Sequence, residues 1–181
     1  MDNERKSVET ILRHSRHDWL NKLQLIKGNI ELNNIDRAKA VIEEIIIEAH
    51  HEAMLSNLNM PKFTETLLTA NWRSLPLHIE FQVVELQRGL RDMDEFISAW
   101  LEELFHILGD SLDDYGENVL VISIDENKEH NLRLSFELQG TIKNESVLRN
   151  FLNKSVSKNA GVTVREINSV EAVFLVELFE D

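Results

Sequence analysis

The first sixty residues repeat apolar side chains at a helical interval, and that spacing constrains the fold more than any other feature. At about 100° per residue, with Val8 as origin, eight positions fall within about 60° of one direction. They are Ile11, Leu12, Ser15, Trp19, Lys22, Leu23, Ile26 and Ile30. The result is a narrow stripe, close to the seam of a coiled coil or bundle. Ser7 reads as the N-cap of this helix, which is expected to run to about Ile30. "NNID" then interrupts the pattern: Asn33 and Asn34 suit a tight turn, and Asp36 an N-cap. A second helix is expected from Asp36 to Leu55. Its stripe is Ala38, Val41, Ile42, Ile45, Ile46, Ala49 and Ala53, with Glu43, Glu44, Glu48 and Glu52 on the other sides. Two helices joined so tightly form an antiparallel hairpin, yet two helices cannot enclose a core between them. A homodimer that joins two hairpins into a four-helix bundle buries both stripes most simply. The alternative is that the stripes pack on the C-terminal half of the same chain.

The pattern changes past this hairpin, which dates the domain boundaries to 1–58 and 62–181. "SNLNMPKFTE" reads as the linker, with Pro61 ending the helical run. "LPLHIEFQVVEL" alternates through Leu77, Ile79, Phe81 and Val83, the period of a strand. "DMDEFISAWLEELFHILGDSLDDYG" has the pattern of a long amphipathic helix ending near Gly116. Strands "NVLVISIDE" and "NLRLSFEL" flank an "NKEH" turn. A helix around "SVLRNFLNKSV" follows, then strands "VTVREIN" and "AVFLVELFE" about "SV". The fold class is α+β: a helical hairpin followed by a two-layer α/β sandwich of four or five strands and two helices.

Composition excludes several functions. There are 32 Asp and Glu against 19 Lys and Arg, a net charge of −13, where binding to phosphate backbones needs a basic surface. Nucleic acid is therefore not expected as a partner. The chain has no cysteine, so disulfides and thiolate zinc sites are excluded, which suits a cytoplasmic protein. No run of about 18 apolar residues offers a membrane span. The polar start "MDNERKSVET" lacks the apolar core of a signal peptide.

Within this acidic chain, residues 10–30 carry Arg13, Arg16, Lys22 and Lys27 against Asp18 alone, together with His14 and His17. On the helical wheel His17 lies at about 180° and His14 at about 240° from Val8. His17 thus points directly away from the apolar stripe, which removes a packing role and leaves a solvated histidine or a nucleophile offered to a partner. Arg13 and Asn21 lie one turn either side of it, His14 and Leu20 at three residues' distance, and Gln24 a further turn along. A neutral imidazole is a competent nucleophile near pH 7, and flanking cations attract an anionic phosphoryl group. Gly28, at about 200°, is almost in line with His17. A glycine there costs the helix about 1 kcal/mol relative to alanine. The i, i+3 histidine pair could hold a metal only with further ligands on facing elements, and residues 10–30 offer only Asp18; no metal site is expected. No nucleophile-elbow motif supports a serine hydrolase. His78, His106 and His130 are scattered singly and read as structural or solvated.

"HSRHDWLNKLQLIKGNI", residues 14–30, resembles the phosphohistidine helix of the sporulation initiation phosphotransferase B family of spore-forming bacilli. More distantly, its His, acidic neighbour and Asn four residues on resemble the dimerisation box of histidine kinases. "NLNMPKFTETLLTANWRS" also looks similar to the family. The resemblance implies that His17, the second histidine of "HSRHD", carries the phosphoryl group. It implies a four-helix-bundle homodimer and a C-terminal domain related to histidine-kinase ATPase domains. It further implies a route: from the aspartyl phosphate of a single-domain response regulator to His17, then to the aspartate on the receiver domain of the sporulation transcription factor. The docking and phosphate-binding face expected around His17 comprises Arg13, His14, Arg16, Asp18, Leu20, Asn21, Gln24, Leu25 and Gly28, with Lys22 or Lys27 completing the cationic rim. No cofactor of its own is implied, and Mg²⁺ is expected on the receiver. Kinases of the related type need an Asn-bearing helix, an Asp-x-Gly-x-Gly loop and a Gly-rich lid. "AWLEELFHILGDSLDDYG" has no Asn, the strand ending at Glu137 and Gly140 has no such loop, and "KNAGV" supplies one Gly. A histidine phosphotransferase that uses no ATP is therefore expected; the alternatives are a non-catalytic dimeric scaffold that binds receivers, and an ATP-using histidine kinase.

Overall fold

The computed structural model describes residues 8–84, 86, 90–127, 131–154 and 158–179. The chain divides into two compact units, residues 1–50 and 51–181. In the first, α1 (Val8–Glu31) and α2 (Ile35–Ser56) are joined by three residues, and α2 runs on across the division. The turn is made by Asn33, whose φ of 57° places it in the left-handed region that asparagine tolerates. Asn34 Oδ1 accepts a hydrogen bond from the Arg37 N–H at 3.4 Å, so the cap falls on Asn34. Asp36 is not the N-cap that the sequence suggests. It sits inside the first turn, where its charge still complements the helix dipole. Ser7 lies outside the described residues.

The apolar stripes divide in two. Ile11, Ser15, Lys22 and Ile26 on α1 are half-buried, while Ala38 and Val41 on α2 are buried and Ile45 half-buried. Lys22 reaches across the hairpin to pair with Glu48. The other flank is open: Leu12, Trp19, Leu23 and Ile30 are each about half exposed, as are Ile35, Ile42 and Ile46. Two cylinders touch along one line, so a stripe about 60° to either side is only partly covered by a single neighbour.

The second unit holds a five-stranded sheet in the order β1-β2-β3-β5-β4. Its strands are β1 (His78–Val83), β2 (Val119–Glu126), β3 (Leu132–Gln139), β4 (Ala160–Ile167) and β5 (Glu171–Leu178). Only β1 and β2 are parallel, and the crossover between them is α4 (Asp94–Ser111), as parallel pairing requires. Alternation buries one face of the sheet. Leu120, Ile122 and Ile124 lie opposite Leu138, Phe136 and Leu134, and all six are buried. Trp100 of α4 packs 5.7 Å from Phe136 and 5.4 Å from Phe151 of α5 (Glu145–Asn153), and Phe136 stacks on Phe174 at 4.8 Å. These rings join the helical layer to the sheet.

Three details depart from expectation. Pro61 does not end a helix; it occupies the first turn of α3 (Pro61–Leu68), where its missing N–H costs nothing. The segment read as a linker is core: Leu58, Met60 and Phe63 are buried. Asp94, itself buried, accepts from the Phe63 N–H at 2.8 Å and the Lys62 N–H at 3.1 Å. It thus caps α3 from a distance that no local pattern reveals. Finally, α4 ends at Ser111, not Gly116. Asn118 explains the sharp exit. Its amide donates to the carbonyls of Pro76 and Asp113 at 2.6 and 2.8 Å and accepts from the Thr141 N–H at 2.9 Å. Gly140, at φ 158°, lies so close that a Cβ there would stand 2.2 Å from Asn118 Oδ1. The "NKEH" turn and the end of the "SVLRNFLNKSV" segment extend outside the described residues.

Phe136→Ala should cost about 3–5 kcal/mol, and Asp94→Ala about 1–3 kcal/mol through the lost cap. Urea unfolding of the intact chain measures both.

Candidate functional site

The seam sets the rotation of α1, and the rotation sets what the far side presents. His17 is on that far side with its side chain 72% exposed. Its Nδ1 lies 3.2 Å from the Asn21 amide nitrogen, one turn on, and 3.5 Å from Asp18 Oδ1. These two partners serve different tautomers: the amide N–H can donate to an unprotonated Nδ1, and the carboxylate can accept from a protonated one. In either case the ring is held by Nδ1, and among the described residues no hydrogen bond engages Nε2. The sequence places Asp18 and Asn21 beside His17; that both converge on the same ring nitrogen is visible only in three dimensions.

Arg13, Arg16, Leu20, Asn21, Gln24 and Leu25 are exposed, and Gly28 is half-exposed. Arg13 and Arg16 carry no ion pair among the described residues. The rim differs from expectation at one residue: Lys22 is turned into the hairpin by Glu48 and does not flank His17. Lys27 stays exposed, 3.5 Å from Glu31. His14 is half-buried, rotated toward the hairpin and away from the azimuth of His17.

His51, His78 and His106 make contacts elsewhere. His51 Nδ1 lies 3.1 Å from Val83 N and 3.2 Å from Val83 O. His78 is 3.8 Å from Glu80 and His106 3.2 Å from Asp110. His130 lies outside the described residues. No group of three or more His, Asp or Glu is placed to hold a metal among the described residues. No helix among them is long and apolar enough to cross a membrane.

The family model for the sporulation initiation phosphotransferase B C-terminal domain matches residues 59–179, and that for the SpoOB-type sensor kinase alpha-helical domain matches residues 1–58. The chain belongs to the sporulation initiation phosphotransferase B family. It is 36% identical over 137 residues to sporulation initiation phosphotransferase B of Bacillus subtilis (strain 168), covering 75% of this chain and 71% of that one. Similar solved structures include the histidine kinase domain of the Erythrobacter litoralis EL346 blue-light activated histidine kinase. That likeness has a TM-score of 0.44 and 11% identity, and covers 70% of this chain and 63% of that one. The Acinetobacter baumannii histidine kinase AdeS has a TM-score of 0.42 and 10% identity, over 90% of this chain and 97% of that one.

Because the His17 side chain is 72% exposed, His17→Ala should change unfolding free energy by no more than about 0.5 kcal/mol. Thermal unfolding followed by circular dichroism checks this.

Proposed function

We propose that the chain is a phosphorelay histidine phosphotransferase, in which His17 takes a phosphoryl group from the aspartyl phosphate of a single-domain response regulator. It then returns the group to an aspartate on a second receiver domain, that of a sporulation transcription factor. The observation that supports this reading is the pose of His17: outward on the face opposite the seam, ring held by Nδ1 and, among the described residues, no hydrogen bond to Nε2 and no ion pair on the nearby Arg13 and Arg16.

The chemistry follows from that pose. With hydrogen on Nδ1 drawn to Asp18, the lone pair of Nε2 attacks phosphorus. A P–N bond forms as the P–O bond to the partner's aspartate breaks, and the aspartate leaves as a carboxylate. The phosphoimidazole keeps its Nδ1 proton, whose positive charge faces Asp18. Arg13 and Arg16 draw in the phosphoryl oxygens, and positioning supplies most of the catalysis. Both bonds are high in energy, so the step reverses on a second receiver without nucleotide. Mg²⁺ stays with the receiver; this chain supplies no cofactor.

Two copies are needed for a complete bundle. The open flank of the hairpin, with Leu12, Trp19, Leu23 and Ile30 beside Ile35, Ile42 and Ile46, is the face a second copy covers. Its apolar area is more than a hairpin leaves in water without loss. Leu23→Glu should therefore convert a dimer to a monomer in sedimentation equilibrium; a Leu23→Glu dimer would contradict this interface.

Transfer is tested by mixing the chain with a response regulator labelled from ³²P-acetyl phosphate. Acid-labile label should move to the wild type and not to His17→Ala, and Asp18→Asn should slow the transfer at least about tenfold. Label on His17→Ala would move the site to another residue. Labelling from ATP and Mg²⁺ alone would make the chain a kinase. Unchanged receiver binding and signalling output by His17→Ala would make it a scaffold.

A further inference from the structure

The two partners of His17 meet at one ring atom and suit opposite protonation states of it. The Asn21 amide nitrogen lies 3.2 Å from Nδ1, and Asp18 Oδ1 3.5 Å from it. An amide N–H donates, so Asn21 stabilises a ring whose Nδ1 holds a lone pair. A carboxylate accepts, so Asp18 stabilises a ring whose Nδ1 carries hydrogen. Both residues belong to the ring's own helix, as do the other charged groups within one turn: Arg13, Arg16 and, when protonated, His14. Asparagine is among the weaker helix formers, and Asn21 is exposed, so the packing of α1 does not ask for it.

With a phosphoryl group on Nε2, the state of Nδ1 decides how long the P–N bond lasts. When water attacks phosphorus, the P–N electron pair returns to Nε2 and inorganic phosphate forms. A ring with hydrogen on Nδ1 leaves as neutral imidazole. A ring without it must leave as an imidazolide anion, a far poorer leaving group. The protonated adduct is therefore the reactive form, and the adduct with bare Nδ1 is the durable one. A hydrogen bond to one protonation state shifts the balance toward that state, and nearby positive charge disfavours a cationic ring. Asp18 thus favours the reactive form. Asn21 favours the durable one, in the same sense as Arg13 and Arg16.

We propose that Asn21 is a positioning residue that stores the phosphoryl group. Its amide N–H holds Nδ1 bare once the donor has left, so that His17 keeps the group until a second receiver arrives. This rests on the phosphotransfer reading above, which places the group on Nε2 of His17.

The test follows the adduct made by phosphoramidate on the full chain, with no receiver present. Wild type, Asn21→Leu, Asn21→Asp and Asp18→Asn are phosphorylated and held from about pH 6 to pH 9, a range that spans imidazole titration. Loss of phosphohistidine is read by phosphorus NMR, and melting temperature is read in parallel. Leucine favours the helix, so Asn21→Leu should melt no lower than wild type. It should lose the group about threefold faster at pH 8, the effect of one net hydrogen bond, and its pH profile should move upward. Asn21→Asp, which puts a second acceptor in place of the donor, should move rate and profile further in the same direction. Asp18→Asn should move both the opposite way. Unchanged rates and profiles in both Asn21 variants overturn the storage role and leave the phosphotransfer reading intact. Faster loss by the same factor at every pH would mean only easier access of water to phosphorus, and would overturn it as well. Wild type that takes no label from a response regulator charged with ³²P-acetyl phosphate overturns the phosphotransfer reading, and the storage role with it.

Discussion

A residue on a helix has one azimuth, and burying one face of that helix commits every other residue on it. This constraint governs α1. The seam formed by Ile11, Ile26 and their neighbours against Ala38, Val41 and Ile45 decides how α1 is turned. Through that rotation it decides that His17 stands in water. The Lys22–Glu48 pair adds a polar contact to an otherwise apolar seam, and polar seam contacts favour one register over others. Packing energy on one side of the helix is thus converted into a pose on the other. The histidine needs no pocket of its own.

The same helix carries three surfaces with different demands. One flank closes the hairpin, the next remains apolar and open, and the far side is polar, cationic and marked by a glycine. An acidic chain that gathers Arg13 and Arg16 beside one exposed imidazole concentrates positive potential where an anionic group would arrive, while the rest of the surface stays soluble through its own charge. The second unit lies outside this arrangement chemically. Its core is a ring cluster between one helical layer and one sheet, and Gly140 is used to admit Asn118.

How legible was this from sequence? The hairpin, the strands and the outward azimuth of His17 follow from periodicity, because both helical phase and strand alternation are local. Pro61 misleads for a comprehensible reason: a proline that cannot continue one helix is equally suited to begin another. What decides between these is the cap, and the cap is Asp94, thirty-three residues away. The position of Asn34 rather than Asp36 at the start of α2 turns on a single left-handed residue, and two adjacent asparagines give no local means of telling which one bends.

Sequence by itself determined the phase of α1, and with it the face on which His17, Asn21, Gln24 and Gly28 are displayed, since 3.6 residues per turn leaves no freedom once the apolar positions are known. Tertiary structure decided what no periodicity encodes. It turned Lys22 inward to Glu48, brought Asp18 and Asn21 to the same ring nitrogen, and split the apolar stripe into a closed and an open half. The contact at His17 turns on one side-chain rotamer within α1; the other two depend on where a second element comes to lie, and a partner across space is not written in the spacing of a residue's own helix.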